Sequence, residues 1–142
     1  MPYSDQVNWQ PVSEMPLIAR LIDAALNATR EHLQTLGMAR AQPHLLDDAT
    51  IDRVEQVHQE QREFIDIYAQ QINRWRTEAP SDEEIRELAR MEAQNQQLQA
   101  LTGQVLALAR ELHQGTIDRI MGMGDLELGL QALLGHKPGR RA

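Results

Sequence analysis

The sequence contains no cysteine and few aromatic residues. Without cysteine the chain has no disulfides, no thiolate metal ligands and no cysteine nucleophile. Aromatic residues make up 4% of the 142 residues, whereas β-strands favour aromatic and β-branched side chains. The chain is instead rich in Leu, Ala, Gln, Glu and Arg, which helices favour. This composition predicts an all-α protein.

The sequence also lacks an excess of positive charge and a long apolar run. Its net charge is −7, whereas proteins that bind nucleic acid usually carry a basic face. Clustered basic residues are confined to the tail 136–142, which we expect to be disordered. No apolar stretch approaches the roughly 20 residues of a membrane-spanning helix, and residues 1–10 do not resemble a signal peptide. These absences predict a cytoplasmic protein that binds neither nucleic acid nor membranes.

Motifs of the common catalytic families are also missing. The sequence has no phosphate-binding glycine loop, no Gly-x-Ser-x-Gly nucleophile motif and no His-Glu-x-x-His zinc helix. No other pattern points to a cofactor. We therefore expect a protein that is not an enzyme and needs no cofactor.

Apolar residues recur at alternating spacings of three and four in a segment that predicts a helix over about 49–77. This is the heptad repeat of coiled coils and helical bundles, with His58 and Gln61 filling two of its places. The apolar members are Ile51, Val54, Ile65, Tyr68, Ile72 and Trp75. The repeat predicts that one face of this helix is buried against other helices.

A first helix is predicted over about 14–38 from the same spacing. Ser13 is a favourable N-cap residue, and Gly37 lies near the expected C-terminal end. Asp47 or Asp48 is expected to cap the second helix. Since the connection between the two helices is short, they should be antiparallel neighbours.

A third helix is predicted over about 82–114. Ser81 and Glu84 match the capping-box pattern, and Gly115 is expected to end the helix. A short C-terminal helix follows over about 125–134. The predicted fold is an elongated antiparallel three-helix bundle with a short fourth helix.

The domain organisation follows from these elements. Residues 1–12 have no repeating pattern and are expected to form an extended arm. Residues 13–135 form one helical domain, as their length allows. The basic tail 136–142 completes the chain.

Aligning the antiparallel helices brings several polar residues to the same height in the bundle. They are Thr29, His32, His58, Gln61 and Thr102. Polar residues inside a heptad repeat often fix the register of packed helices. The layer is therefore predicted to be structural.

A metal- or small-ligand-binding site is the alternative interpretation of this region. Glu55 and His58 have the Glu-x-x-His spacing that carboxylate-bridged metal sites use on one helix face. His32 from the first helix would supply a third ligand. No second Glu-x-x-His pattern supports the site, so the alternative rests on Glu55, His58 and His32.

The apolar surface exceeds what a slender three-helix core needs. Excess apolar surface of this kind is usually buried against another chain, so we expect a non-catalytic interaction or scaffold protein. It should form a homodimer or dock on a protein partner that the sequence does not identify. The candidate interaction residues are Trp75, Leu101, Leu108, Met121, Met123, Leu126, Leu130 and Leu133.

Overall fold

The computed structural model describes residues 8–42 and 44–133, with side chains described as far as residue 116. Within these residues the secondary structure consists of helices without strands. The α-helices are α1 (Met15–Ala41), α2 (Asp48–Arg76) and α3 (Asp82–Leu133). They pack against one another, which confirms the predicted all-α bundle.

Contacts between α1 and α3 show that these two helices run in the same direction. Asp23 near the start of α1 pairs with Arg90, and Arg40 near its end pairs with Glu111. Both partners advance along the sequence together. Helix α2, which lies between them in the chain, therefore runs in the opposite direction.

Contacts between α2 and α3 confirm the antiparallel arrangement. Arg76 at the end of α2 pairs with Glu92, whereas Asp52 near its start lies beside His113. At about 1.5 Å per residue, the 29 residues of α2 span about 44 Å. The bundle is therefore elongated, as predicted.

The start of α1 differs from the prediction. Ser13 does not cap the helix, because it lies within a short 3₁₀ turn, Val12–Glu14, that leads directly into α1. The Glu14 amide donates to the Pro11 carbonyl over 2.9 Å, so backbone replaces the expected side-chain cap.

The end of α1 also differs, since the helix continues past Gly37 to Ala41. Glycine ends a helix when it adopts a positive φ, and Gly37 does not. Inside a helix a single glycine costs only about 1 kcal/mol relative to alanine.

Both ends of the α2–α3 hairpin agree with the sequence analysis. Asp47 caps α2 by accepting a 2.8 Å hydrogen bond from the Thr50 amide. The Thr50 side chain and this amide both lower the pKa of the Asp47 carboxyl by hydrogen bonding to it. At α3, the Glu84 amide donates to Ser81 Oγ over 3.1 Å. The Ser81 amide donates to Glu84 Oε1 over 2.8 Å in return. The predicted capping box is confirmed.

The predicted end of α3 at residue 114 and the separate helix over 125–134 are wrong. The backbone continues as one α-helix through Gly115 to Leu133. Gly115 has no positive φ, and no atom would lie within 4 Å of a Cβ added there. An isolated glycine lowers helix stability but does not by itself end a helix.

Three clusters of buried apolar side chains follow one another along the bundle. Each cluster draws residues from all three helices, so burying them holds the helices together. From the α2–α3 turn outwards, the central members are Ile22, Ile72 and Leu88; then Leu26, Ile65 and Leu98; then Leu36, Ile51 and Val105.

Candidate functional site

A pair of contacting histidines lies between the second and third apolar clusters. His32 Nδ1 lies 3.3 Å from His58 Nε2, and the two rings meet edge to face with centroids 5.0 Å apart. His58 Nδ1 lies 2.8 Å from the Val54 carbonyl oxygen. This carbonyl assigns the proton of neutral His58 to Nδ1, so Nε2 accepts the hydrogen bond from His32.

Gln61 joins the three helices beside these histidines. Its side-chain amide donates to Thr29 Oγ1 over 2.9 Å and to Thr102 Oγ1 over 2.8 Å. Each threonine hydroxyl in turn donates to a carbonyl of its own helix, that of Ala25 or that of Leu98. The five side chains Thr29, His32, His58, Gln61 and Thr102 therefore form one polar layer, as the sequence predicted.

Electrostatics in the polar layer favour a neutral His58. Burial lowers the pKa of His58, and the nearby His32 lowers it further, while the hydrogen bond to Val54 acts in the opposite direction. A buried polar group costs free energy unless it is hydrogen-bonded. Both ring nitrogens of His58 have hydrogen-bond partners within the chain, so neither is left unsatisfied by burial.

Glu55 does not join His32 and His58, so the predicted three-ligand set is not assembled. Residues three apart on a helix point in directions about 60° apart. This difference turns His58 towards α1 and Glu55 towards α3. Glu55 Oε1 lies 3.7 Å from Nε2 of His113 instead.

A different cluster of metal-ligating side chains lies at this position. Asp52 Oδ1 is 2.8 Å from His113 Nε2, and the ligand atoms of Asp52, Glu55 and His113 all lie within 4.8 Å of one another. His113 Nε2 is buried but makes no hydrogen bond of acceptable geometry. We call these three residues the Asp52–Glu55–His113 cluster.

The Asp52–Glu55–His113 cluster was not predicted, although the sequence contains a signal for it. Gln61 contacts Thr102 across an antiparallel pair. Counting outwards from that contact brings the turn that holds Asp52 and Glu55 opposite His113. The Glu-x-x-His spacing pointed instead to His58, with His32 from α1, as the partners of Glu55, whereas its partner lies on α3.

Three of the predicted interaction residues contribute to the core of the chain itself. Trp75 is fully buried, Leu108 is 7% exposed and Leu101 is half-buried. Trp75 Nε1 also donates to the Gln10 carbonyl over 3.0 Å, so the residues before α1 cover this end of the bundle. The other predicted residues lie beyond residue 116, outside the described side chains. They are Met121, Met123, Leu126, Leu130 and Leu133.

Large apolar side chains are exposed where α1 and α2 lie side by side, whereas the Asp52–Glu55–His113 cluster lies between α2 and α3. On α1 they are Leu17 and Leu21, which are 41% and 44% exposed, and on α2 they are Val57 and Phe64, at 45% and 55%. A groove of about 230 Å³ between the helices is lined in part by Val57, Phe64 and Tyr68. We call this surface the α1–α2 face.

A polar groove of about 480 Å³ runs between α2 and α3. Its buried Asn95 donates to the Ile65 carbonyl over 2.9 Å, while Asn95 Oδ1 has no hydrogen-bond partner. Arg62 and Asp66 on its rim carry opposite charges. Glu92 also lines the groove but pairs with Arg76, so the charges balance and do not select one class of ligand.

Comparison with known proteins gives no further indication of function. The chain matches no protein family, and no similar curated protein or solved structure is found. Within the described residues, none of the helices has the length and apolar character needed to cross a membrane.

Proposed function

We propose that this protein is a non-catalytic interaction protein that forms a homodimer through the α1–α2 face. The observation that carries the proposal is the exposure of large apolar side chains on one continuous face of the bundle. Removing such a surface from water on association is favourable by roughly 25 cal/mol for each Å² buried. The occupant that we propose is a second copy of the same chain.

The α1 side of this face is uncharged. Leu17, Leu21, Ala24 and Ala28 fall on the side of α1 that lies next to α2, and all four are exposed. None of these four side chains carries a charge. Depletion of charge is the compositional mark of an interface core.

The α2 side of the face carries charges of opposite sign. Arg53 and Glu60 lie on the same side of α2 as Val57 and Phe64. In a twofold dimer the same patch of each chain meets its copy. Arg53 of one copy and Glu60 of the other are then compatible neighbours, which favours self-association despite the net charge of −7.

The packing of the bundle also leaves room at this face. Helices α1 and α2 each pack mainly against α3 and less closely against each other. In a four-helix bundle the groove between two such helices is covered by a further helix. A second copy would supply this missing cover.

The polar layer itself is not arranged for catalysis. A general base or nucleophile needs a polar atom that can reach a substrate. His58 is 1% exposed and its two nitrogens are engaged within the chain. The polar layer thus serves to align the helices.

A matched pair of charge substitutions tests the proposed dimer. Phe64→Glu places a charge in the centre of the α1–α2 face, whereas Ile85→Glu places one on α3 at a residue that is similarly exposed, at 51%. Size-exclusion chromatography with light scattering should show a dimer for the wild-type chain and for Ile85→Glu. Phe64→Glu should be a folded monomer by circular dichroism.

A third variant separates this interface from the one expected from the sequence. Leu126→Glu changes the C-terminal part of α3 and should leave the dimer intact. If Leu126→Glu gives a monomer while Phe64→Glu remains dimeric, the interface lies in the C-terminal segment and the proposed face is wrong. A monomeric wild-type chain would contradict a homodimer through either interface.

A further inference from the structure

We infer that the Asp52–Glu55–His113 cluster binds a divalent transition-metal ion. The site is distinct from the proposed dimer interface, because Glu55 faces His113 on α3 whereas Val57 and Phe64 line a groove beside α1. It joins the first turns of α2 to α3 and does not use the polar layer. The three ligands would be one imidazole nitrogen and two carboxylate oxygens.

Two of the three distances within the cluster are near those between ligands of one metal ion. Nitrogen and oxygen ligands lie about 2.0–2.2 Å from zinc, which places two ligands of a tetrahedral site about 3.4 Å apart. His113 Nε2 lies 2.8 Å from Asp52 Oδ1 and 3.7 Å from Glu55 Oε1. A shift of exposed Asp52 by about 0.6 Å would bring the first separation from 2.8 Å to the tetrahedral value, close to the 3.7 Å of the second.

The orientation of His113 gives a second, independent indication. Although a carboxylate oxygen lies 2.8 Å from Nε2, the two atoms do not form a hydrogen bond of acceptable geometry. An ion pair would normally point the N–H at the oxygen. A metal ligand instead points the nitrogen lone pair between the neighbouring oxygens, where the ion lies. Nε2 therefore lies beside two carboxylate oxygens without forming a hydrogen bond to either, which leaves it available as a metal ligand.

The ligand set indicates which ions the site would take. An imidazole with two carboxylates suits zinc, iron(II), cobalt and manganese, and the absence of thiolates disfavours copper(I). Affinity should increase from manganese to cobalt and remain high for zinc. Three protein ligands leave at least one coordination position for water, as in open zinc sites.

Metal titration of the full chain, with any histidine tag removed, tests this inference. Isothermal titration with Zn²⁺ at neutral pH should show one ion bound per chain. Asp52→Asn and His113→Ala should each weaken Zn²⁺ binding by more than about tenfold. Loss of a residue that only supports a metal ligand already weakens binding by about tenfold or more, and a ligand itself should matter more. Asp48→Asn and His44→Ala, which change exposed residues outside the cluster, should bind Zn²⁺ like the wild type.

Two further measurements keep the test decisive. Circular dichroism of the metal-free variants shows whether lost binding comes from lost folding, and Asp52→Asn is expected to fold because Asp52 is exposed. Cobalt(II) bound by the wild type should give a visible spectrum that His113→Ala abolishes. Phe64→Glu should bind zinc normally, so failure of the dimer would not affect this result.

Two outcomes would overturn the inference. One is the absence of measurable Zn²⁺ binding by the folded wild-type chain at high micromolar concentrations. The other is binding that survives in Asp52→Asn and His113→Ala with unchanged affinity. Either would mean that Asp52 and His113 form only a contact between helices.

Discussion

At the scale of single residues, Gln61 explains how polar side chains can occupy the centre of an apolar repeat. Its amide donates to two threonine hydroxyls, and each hydroxyl uses its own proton on a carbonyl one turn earlier. The three helices are thereby aligned at one height. A one-turn slip of α2 would leave these donors without acceptors, so the layer selects the observed register.

Substitution of Gln61 by Leu should therefore destabilise the fold. It leaves the Thr29 and Thr102 hydroxyls without their donor, and a buried polar group that loses its partner costs about 1–3 kcal/mol. Combining Gln61→Leu with Thr29→Val and Thr102→Val removes the unpaired groups as well. Urea unfolding should show that the triple variant regains most of the loss. A triple variant less stable than the single one would contradict this account of the layer.

The lowered pKa of His58 predicts that acid weakens the fold. Burial holds the pKa of His58 in the folded chain below 6.5, the ordinary value of a histidine, which applies to the unfolded chain. Below about pH 7 the unfolded chain therefore binds more protons than the folded chain. The free energy of unfolding should be constant above this pH and should fall as the pH decreases through 6.5 and below.

Urea midpoints measured between pH 7.5 and pH 5.5 check this prediction. His58→Gln should reduce the slope of stability with pH, because a glutamine does not titrate. His44→Gln changes an exposed histidine in the α1–α2 connection and should leave the slope as it is. An equal slope in wild type and His58→Gln would show that other groups cause the acid sensitivity.

Individual residues also show where sequence reasoning succeeds and fails. The heights of His32, His58 and Gln61 follow from counting along antiparallel helices, so their convergence could be predicted. The direction of Glu55 could not, because it depends on which neighbouring helix offers a partner. Spacing within α2 indicated His58, whereas the carboxylate faces His113 on α3.

At the scale of elements, helix starts are predicted better than helix ends. The capping box of α3 is a local pattern whose partners are three residues apart, so the sequence contains all of it. Gly115 illustrates the opposite case. A glycine ends a helix only when its backbone takes a positive φ, and the residue type permits this conformation without requiring it.

Two serines provide a matched test of the helix starts. Ser81→Ala removes the side-chain cap of α3 and should cost about 0.5–2 kcal/mol of unfolding free energy. Ser13→Ala should have almost no effect, because Ser13 lies in the 3₁₀ turn before α1 and does not cap it. Chemical denaturation measures the loss of unfolding free energy in each variant. Equal losses, or a larger loss for Ser13→Ala, would contradict the helix starts described here.

The continuity of α3 predicts that Gly115→Ala is stabilising. Gly115 is helical and has space for a methyl group, and alanine is favoured over glycine within a helix by up to about 1 kcal/mol. If Gly115 ended the helix with a positive φ, the same substitution would destabilise the chain. The sign of the change in the thermal midpoint therefore decides between the two structures.

At the scale of the whole molecule, α3 is the helix around which the bundle is built. Its 52 residues span about 78 Å, compared with about 40 Å for the 27 residues of α1. Arg40, near the end of α1, lies beside Glu111, so α3 continues from there to Leu133. Both other helices pack mainly on α3, and the α1–α2 face remains open to solvent.

The lengths of the helical segments, their short connections and the heptad repeat made the three-helix arrangement predictable from the sequence. The exposed α1–α2 face was not predicted, because the sequence shows that Phe64 and Leu21 are apolar but not that α3 leaves them uncovered. Conversely, Trp75 is of a residue type that is common at interfaces, but it is buried within its own chain. Whether a side chain is buried depends on how the three helices pack together. The spacing of apolar residues within one helix does not determine this packing.

The mass of the unmodified chain in solution tests the central claim of a homodimer most directly. One chain has a mass of 16.2 kDa. Sedimentation equilibrium should show an apparent mass that rises with concentration and reaches twice 16.2 kDa at tens of micromolar. A mass that stays at 16.2 kDa up to hundreds of micromolar would contradict the claim.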